Sequence, residues 1–341
     1  MNTAKHFNSV DIMEKSFSAV LGEEYERWLQ NYRFIYTANK QKMSRFQSYE
    51  YNGMLSRFLL GWHNHPEHRE QVKNKAIAEL SEKNMNFPIP FKLLEDNPTV
   101  PSKPSLPVYI RVSKQLLKDN LVVLFEAWTP KKYNFRFELP YSLYAKLIKY
   151  TSVENIFKML MRYDGVLAAT SGQFWGMPEK TWELLITKYG AEYEGFASPL
   201  NFNLNKFFSL FLDTDEVFGS LGNFLTAELK PGVYVANPPY IESIMLLASH
   251  KILETLEHST AVGSKTTFFM LLPHWLDAPS IQNLIESKYL QVSITLQKKK
   301  HLIRNYTQNI NMVANFENLI VILSNNPEEK YNVEELKQSF L

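Results

Sequence analysis

Cysteine is absent from the 341-residue chain. This absence excludes disulfide bonds, thiolate zinc sites and cysteine nucleophiles, and it fits a reducing compartment. Three histidines, His63, His65 and His68, lie close together in the segment WHNHPEH. Because Pro66 interrupts any common helical face, we expect a polar helix end in this segment and no metal in the protein.

Long apolar runs and a strong net charge are also missing. No stretch approaches the roughly 18 consecutive apolar residues of a membrane span, and the opening MNTAKHFNSV lacks the apolar core of a secretory signal. We therefore expect a protein that is not secreted, in a nuclear or cytoplasmic setting, with a viral one left open. The formal net charge is +2, so any polyanion site must be a local basic patch.

The chain is apolar enough for a large core, with 45% hydrophobic and 14% aromatic residues. Residues 11–84 read as helical, and six prolines between residues 86 and 107 indicate a connector. We predict an N-terminal, mostly helical domain with this connector over 1–107. The alternating or apolar runs VYIRV, LVVLFEAW and YNFRFEL then predict a β-meander in a joining region over 108–150, which ends in helix-like residues.

From about residue 151 the pattern changes to strands that alternate with helices. GVLAAT, EYEGFA, VYVA and TTFFMLLP are strand-like, whereas PEKTWELLITKY and PSIQNLIESKY are helix-like. VSITL and NLIVIL are predicted as the last two strands, joined by a basic loop. This alternation predicts an α/β core over 151–341 with a doubly wound, parallel, Rossmann-like sheet.

Two adjacent prolines, Pro238 and Pro239, lie between a strand-like and a helix-like run in the segment GVYVANPPYIESIM. Neither element tolerates proline in its interior, so the prolines form a rigid junction. In an open α/β sheet, ligands bind at the carboxyl ends of the strands, which is where this junction lies. Asn237, Pro238, Pro239 and Tyr240 are therefore candidate catalytic residues, with an ordinary loop as the alternative.

The order Asn-Pro-Pro-Tyr resembles the Asn/Asp-Pro-Pro-aromatic signature of amino-methyltransferases. An adenine amine is a poor nucleophile because its lone pair is delocalised into the ring. Two acceptors, the Asn237 side-chain oxygen and the Pro238 carbonyl, would favour a tetrahedral nitrogen, while Tyr240 stacks on the purine. The signature also occurs in methyltransferases acting on DNA adenine, RNA adenine and glutamine, so it does not select the substrate.

Longer segments around this junction resemble one family. EGFASPLN, DTDEVFGSLGNF and VANPPYIESIM occur in this order, with MLMRYDGV before them and FFMLLPHW after them. Together they resemble the core of the phosphorylated-CTD-interacting factor family, the cap-specific adenosine N6-methyltransferases, over roughly residues 150–325. One departure is His274, where the family pattern has an acidic residue.

The resemblance implies an enzyme that methylates N6 of the first transcribed adenosine, usually already 2′-O-methylated, beside the 7-methylguanosine cap. It implies S-adenosyl-L-methionine (SAM) as methyl donor, capped mRNA as partner, and a helical domain attached to a Rossmann-like core. We find no WW module in the sequence, so docking to a phosphorylated polymerase tail is not expected. The alternatives are an N6-adenine methyltransferase acting on DNA or internal RNA, and a catalytically inactive RNA-binding protein with the same fold.

Cofactor-binding candidates are small, polar or acidic residues in loops that follow predicted strands. The loop TSGQFWG would follow the first core strand, ASPLN the second, and two acids and a glycine–serine pair come before the motif strand. Each also has an ordinary explanation as a turn or a cap. The candidates are Ser171, Gly172, Ser198, Asn201, Asp213, Asp215, Gly219 and Ser220.

RNA-binding candidates lie in the basic loop between the last two predicted strands and after TTFFMLLP. Cationic side chains there are placed to contact the cap triphosphate or the following nucleotides, and the alternative is a solvated surface. Trp275 is placed to stack on a base or on the cap, with a buried tryptophan as the alternative. The candidates are Lys298, Lys299, Lys300, His301, Arg304 and Trp275.

Overall fold

The computed structural model describes residues 12–13, 51, 54–55, 58, 66–82, 89, 109–117, 120–128, 134–167, 175–306 and 309–341. The chain forms two compact units, residues 1–171 and residues 172–341. The division therefore falls later than residue 151, where the core is predicted to begin. Among the described residues, no helix has the length and apolar composition needed to cross a lipid bilayer.

The first unit contains a four-stranded antiparallel sheet in the order β1-β2-β3-β4. The predicted β-meander is confirmed as β2 to β4, and Phe125 of β3 packs edge-on against Tyr144 at 5.9 Å between ring centroids. Ile12–Met13, predicted within a helical region, instead pairs with β2. The elements are β1 (Ile12–Met13), α1 (Arg69–Glu82), β2 (Tyr109–Leu117), β3 (Asn120–Trp128), β4 (Asn134–Pro140), α2 (Tyr141–Leu147) and α3 (Val153–Leu167).

The second unit is built on a six-stranded mixed sheet in the order β10-β13-β9-β8-β6-β7. Strands β7, β6, β8 and β9 are parallel neighbours, whereas β13 runs antiparallel to both β9 and β10. The prediction of a wholly parallel sheet is wrong in this respect. The strands are β6 (Tyr193–Gly195), β7 (Lys206–Phe207), β8 (Val233–Ala236), β9 (Thr267–Pro273), β10 (Leu290–Leu296) and β13 (Asn318–Ser324).

Helices and a smaller sheet complete the second unit. Short strands β5 and β12 pair antiparallel on either side of β11, so a hairpin stands where the sequence predicts only a basic loop. The remaining elements are β5 (Trp175–Gly176), α4 (Glu179–Thr187), α5 (Leu212–Asp215), α6 (Glu242–Ala261), α7 (Pro279–Ile285), β11 (Leu302–Asn305), β12 (Ile310–Val313) and α8 (Val333–Gln338).

The six-stranded sheet buries apolar side chains on both faces. Phe268 and Met270 of β9 belong to one core cluster, and Phe269 and Leu271, which alternate with them, belong to the other. Successive strand residues point to opposite faces, so a run apolar at every position requires cover on both sides. Each large side chain buried in this way contributes about 1.5–3 kcal/mol, and the resulting rigidity fixes the strand ends that carry the site.

The predicted first core strand, GVLAAT, is not a strand where the structure describes it. Gly165–Leu167 form the end of α3, and residues 168–170 lie outside the described residues. The strand next to β8 is instead β6, so the loop that follows the first central strand is Phe196–Asn201. Ser198 and Asn201 therefore occupy the position that the sequence analysis gave to Ser171 and Gly172.

Candidate active site

The candidate site lies at one edge of the six-stranded sheet. The carboxyl ends of β6, β8 and β9 meet there, because Ala236 pairs with Gly195 on one side and with Met270 on the other. Antiparallel β13 starts at the same edge, where Asn318 pairs with Pro273. Ligands of open α/β sheets bind at this edge.

Asn237 directly follows β8, and its amide is held in one orientation. Nδ2 donates a hydrogen bond of 3.1 Å to the Trp175 backbone carbonyl. Oδ1 is buried and has no hydrogen-bond partner among the described residues. A buried acceptor left unpaired costs about 1–3 kcal/mol, so native proteins rarely retain one without a ligand to satisfy it. Asn237 Oδ1 is thus an acceptor that the described part of the protein leaves unsatisfied.

The two prolines turn the chain from β8 into α6. The Pro239 carbonyl accepts a hydrogen bond from Ile241 N at 2.7 Å, and α6 starts at the next residue. Among the described residues, no backbone N–H donates to the carbonyl of the buried Pro238. Glu242 fixes the start of α6 by accepting from both N and Oγ of Ser280, at 2.8 and 2.6 Å. The junction is therefore stiff, and it leaves the Pro238 carbonyl available.

Tyr240 is anchored through its hydroxyl. Asn318 Nδ2 donates to the Tyr240 hydroxyl at 2.5 Å. Burial of that hydroxyl raises the pKa of Tyr240 above its usual range, and the bond from Asn318 opposes this increase only in part. The residue as a whole is still partly exposed. Tyr240 thus offers an uncharged ring for stacking.

Three further aromatic side chains surround this corner. Trp275 and Phe316 each approach Tyr240 edge-on, with 6.4 Å between ring centroids. Trp175 lies parallel to Phe316 at 6.3 Å, and its indole Nε1 is buried with no partner among the described residues. The corner therefore combines apolar ring surfaces with a few polar atoms, as small-molecule and base sites do.

The loop after β6 is tightly constrained. A Cβ on Gly195 would lie 3.0 Å from the Phe224 ring, and Phe196 has a left-handed backbone with φ of 61°. Left-handed backbone at a large residue is uncommon and concentrates at functional sites. Asn201 Oδ1 accepts from both N and Oγ of Ser198, at 2.8 and 2.7 Å. Ser198 and Asn201 thus shape this loop together, and their contact with a cofactor stays a prediction.

The sequence analysis missed Glu194, a buried acid within β6. Its carboxylate accepts from the backbone N of Asn203 at 2.5 Å and of Leu204 at 3.0 Å. Asn203 Nδ2 also donates to the Tyr306 hydroxyl at 3.0 Å, which links β6 to the residue after β11. Burial raises the pKa of Tyr306, with the nearby Glu194 charge as a second cause. The sequence feature that could have indicated Glu194 is an acidic residue inside the strand-like run EYEGFA.

The other cofactor candidates occupy structural positions or are not described. Asp215 is fully buried and accepts from Thr214 Oγ1 at 3.0 Å. Ser220 is buried against Ser209, with 2.6 Å between their hydroxyl oxygens, and Gly219 adopts φ of 102° beside it. Asp213 lies in α5, and Ser171 and Gly172 lie outside the described residues. A cofactor contact by any of these residues stays a prediction.

The RNA candidates separate into exposed and engaged residues. Lys298, Lys299 and Lys300 are exposed and follow β10 at the active edge, and Trp275 is 42% exposed next to Tyr240. Arg304 instead bonds to Asn309 at 2.7 Å and lies 3.6 Å from a Glu179 carboxylate oxygen.

His301 differs from the prediction of an RNA contact. It is only 2% exposed, and both ring nitrogens face protein oxygen atoms. A buried side chain cannot touch a phosphate at the surface, so the RNA role is corrected to one within the protein. The three lysines that precede His301 in sequence concealed its burial.

No described group of three or more histidine or acidic residues is arranged to hold a metal ion. Of the three clustered histidines, His68 is exposed in a short 3₁₀ turn, and His63 and His65 lie outside the described residues.

Comparisons with known proteins point to one family. The family model described as "Phosphorylated CTD interacting factor 1 WW domain" matches residues 141–306. Proteins of Mus musculus and Homo sapiens named "mRNA (2'-O-methyladenosine-N(6)-)-methyltransferase" are each 25% identical over 268 residues. These alignments cover 72% of the chain and 36% of each relative, so the chain spans little more than a third of the length of these relatives.

Proposed function

We propose that the chain belongs to the phosphorylated-CTD-interacting factor family and that it methylates N6 of the adenosine beside the cap of mRNA. The relatives' name gives that activity to those proteins. One observation in this chain carries the proposal. Asn237 Oδ1 is a buried acceptor without a protein partner in the described residues, next to the anchored ring of Tyr240.

The finer fold assignment is part of the proposal. A Rossmann-like methyltransferase core is supported by the parallel neighbours β7, β6, β8 and β9, with ligand-facing loops at their carboxyl ends. An N-terminal, mostly helical domain would adjoin it, and α1 agrees with that expectation.

SAM as methyl donor fits the residues of the loop after β6. Gly195 leaves no room for a Cβ, Phe196 is held in a left-handed backbone, and Ser198 and Asn201 add polar atoms one strand away from Asn237. When bound, SAM supplies an electrophilic methyl group on a sulfonium. The loop Phe196–Asn201 would hold it.

The protein's part in the reaction is to prepare the amine. Asn237 Oδ1 and the Pro238 carbonyl accept the two N–H groups of N6, which favours a tetrahedral nitrogen with its lone pair out of conjugation. Because the prolines and the Trp175 carbonyl hold both acceptors in place beforehand, little reorganisation accompanies the reaction. Tyr240 stacks on the purine, a contact worth about 1–3 kcal/mol. No strong general base is required.

A cap-adjacent nucleotide suits this pocket because it is at the end of a single strand. It enters without the unpairing cost that an enzyme meets when it extracts a base from a duplex. Lys298, Lys299 and Lys300 lie exposed at the same edge of the sheet, where they can contact phosphates of the cap or of the following nucleotides. These features favour capped RNA as the substrate.

A substrate comparison tests the proposal. Purified protein and SAM with a labelled methyl group are offered to RNA that starts with capped 2′-O-methyladenosine, to uncapped RNA of the same sequence, and to duplex DNA. We expect methyl transfer mainly to the capped RNA. Transfer mainly to DNA or to uncapped RNA would overturn the cap assignment, and RNA binding with neither SAM binding nor transfer would indicate an inactive RNA-binding protein.

A further inference from the structure

We propose that His301 is a positioning residue that holds Tyr240 in place through Asn318, an inference that rests on the proposed function. His301 lies at the end of the basic loop after β10, but its imidazole points into the protein. Nδ1 is 2.9 Å from the Gln297 carbonyl oxygen, which belongs to the same loop, and Nε2 is 2.8 Å from Asn318 Oδ1. Asn318 has 0% exposure, so the second of these bonds is closed to water.

The Asn318 amide has only one orientation that satisfies its neighbours. The Leu272 carbonyl can only accept, so Nδ2 faces it at 3.0 Å and uses its second hydrogen for the Tyr240 hydroxyl at 2.5 Å. Oδ1 must then face His301 Nε2, where the imidazole donates. A flipped amide would bring two acceptor oxygens together at Leu272. His301 thus fixes Asn318, and Asn318 fixes the Tyr240 hydroxyl.

This connection matters because the stacking ring has one polar anchor among the described contacts. Trp275 and Phe316 approach Tyr240 edge-on, which limits the ring but does not fix its rotation. A ring that is held before the base arrives avoids an ordering cost at binding. Loss of the His301–Asn318 bond should therefore weaken catalysis on RNA without exposing the site or altering the acceptors Asn237 and Pro238.

Two substitutions at one position test this role. His301→Gln can place an amide N–H where Nε2 lies and keep the bond to Asn318. The side chain of His301→Asn is shorter, so it can reach the Gln297 carbonyl but not Asn318. Thermal unfolding of both variants checks that each remains folded. We expect kcat/KM on capped RNA to fall about tenfold in His301→Asn and to stay within about threefold of the wild type in His301→Gln.

The Tyr240→Phe variant is used as a second background, which separates the positioning role of His301 from a general effect on the structure. In Tyr240→Phe the hydroxyl is absent, so adding His301→Asn should cause no further loss of kcat/KM. Crystal structures of both His301 variants report the ring orientation even when no turnover is measured, so the test survives a failure of the proposed function. Equal losses in both variants, additive losses in the double variant, or an unmoved Tyr240 ring in His301→Asn would overturn the proposal.

A different observation carries a second inference about how the base is selected. The described residues contain two buried side-chain polar atoms without a partner, Asn237 Oδ1 and Trp175 Nε1. One is an acceptor and the other a donor. The two residues contact each other through the Asn237 Nδ2 bond to the Trp175 carbonyl, and both border the corner that contains Tyr240 and Phe316. A buried indole N–H usually has a partner, so its absence within the protein suggests a ligand atom.

We infer that Trp175 Nε1 donates to a ring nitrogen of the base whose amino group binds Asn237, which again rests on the proposed function. Adenine presents an N–H donor beside a ring-nitrogen acceptor on both of its hydrogen-bonding edges, N6 with N1 and N6 with N7. Guanine presents the O6 acceptor where adenine has its amino group, and this oxygen would face Asn237 Oδ1. The pair therefore selects an amino base over a keto base.

Adenosine analogues test which atom Trp175 contacts. Capped RNAs with 1-deazaadenosine or 7-deazaadenosine at the first position each lack one ring nitrogen. We expect kcat/KM of the wild-type protein to be about tenfold lower on one of the two analogues than on adenosine. On adenosine, Trp175→Phe should show a decrease of about the same size. On that analogue, Trp175→Phe should react as fast as the wild-type protein. Phenylalanine keeps an aromatic ring against Phe316 but removes the donor together with one of the two fused rings, so the comparison between the two analogues carries the test.

Equilibrium binding of the same RNAs compares adenosine with its two analogues without turnover, so the test does not depend on methylation. The inference fails if both analogues bind and react like adenosine with the wild-type protein. It also fails if Trp175→Phe leaves Kd and kcat/KM for the adenosine RNA unchanged.

Discussion

At the scale of single residues, the chemistry concentrates on Asn237. Its Nδ2 is occupied by the Trp175 carbonyl, so only Oδ1 is available to a ligand. We expect Asn237→Ala to lower kcat by at least about a hundredfold, since removing one preorganised group that stabilises the transition state has effects of this size. SAM binding should be nearly unchanged because the loop after β6 is untouched. Single-turnover kinetics and calorimetry with SAM measure the two effects.

Asn237→Asp is the matched control for this prediction. Aspartate keeps an acceptor oxygen of the same reach and occurs in the same signature, but it cannot donate to the Trp175 carbonyl. It should therefore retain more activity than alanine and less than asparagine. The alanine variant should also remain folded, because it removes a buried unsatisfied acceptor together with one hydrogen bond, and thermal unfolding checks this. A wild-type rate in Asn237→Ala would remove Asn237 from the mechanism.

The residue scale also shows where sequence reasoning stops. Asn237 and Tyr240 are recognisable because the diproline junction places them together along the chain. Trp175, Phe316 and Asn318 reach the same corner from β5 and from the start of β13, and nothing local in their segments indicates that they meet. His301 was predicted as a surface cation because three lysines precede it, whereas its imidazole bonds to the buried amide of Asn318.

At the scale of elements, sequence patterns predict the long strands and miss the short ones. The seven residues of β9 are buried at every position, as expected of a strand covered on both faces. Strands β5 and β7 have two residues each, too few to show any alternation. The hairpin of β11 and β12 was read as a loop because each strand has only four residues and the hairpin follows a basic run, and because β11 pairs with β5, far away in the sequence.

The basic loop after β10 gives a prediction at this scale. Lys298, Lys299 and Lys300 are exposed at the active edge, so replacing all three with glutamine should weaken capped-RNA binding and make it less dependent on salt. For a single strand, every lysine–phosphate interaction that is removed reduces the slope of log K against log salt by about 0.7. Filter binding or fluorescence anisotropy over a salt series measures the slope.

Lys265 provides the control for charge alone. It is an exposed lysine just before β9, at the amino end of the strand and thus away from the active edge. Lys265→Gln should leave the salt slope within error of the wild-type value. If the triple variant kept the wild-type slope, the lysine loop would have no phosphate role and would be an ordinary solvated surface.

At the scale of the whole molecule, the site residues that the structure describes all belong to the second compact unit, residues 172–341. The amine-binding corner, the loop after β6 and the lysine loop are attached to the ends of strands in one sheet, whose two faces are both buried. The stability of that sheet is therefore a condition for the site geometry. Conditions that weaken the core should reduce activity before the chain is fully unfolded.

Alkaline pH is such a condition, because burial raises the pKa of several core tyrosines. Burial is the main cause for Tyr234, Tyr240 and Tyr306, and it raises the pKa of Tyr331 to about 12. A raised pKa means that the folded state favours the protonated phenol. Below about pH 10 the tyrosines are protonated in both states, so their contribution to stability is complete. As the pH rises further, the unfolded chain ionises first and the free energy of unfolding falls.

We therefore expect the urea midpoint to be steady up to about pH 9 and to decrease steeply above about pH 10. Tyr331→Phe isolates one contribution, because Tyr331 donates to Glu329 at 2.9 Å and phenylalanine keeps the ring but cannot ionise. The variant should be slightly less stable at neutral pH and should lose stability less steeply above about pH 10, with the effect reduced by the partial exposure of Tyr331. Identical slopes for the variant and the wild type would mean that Tyr331 ionises alike in both states, which contradicts its burial against β9.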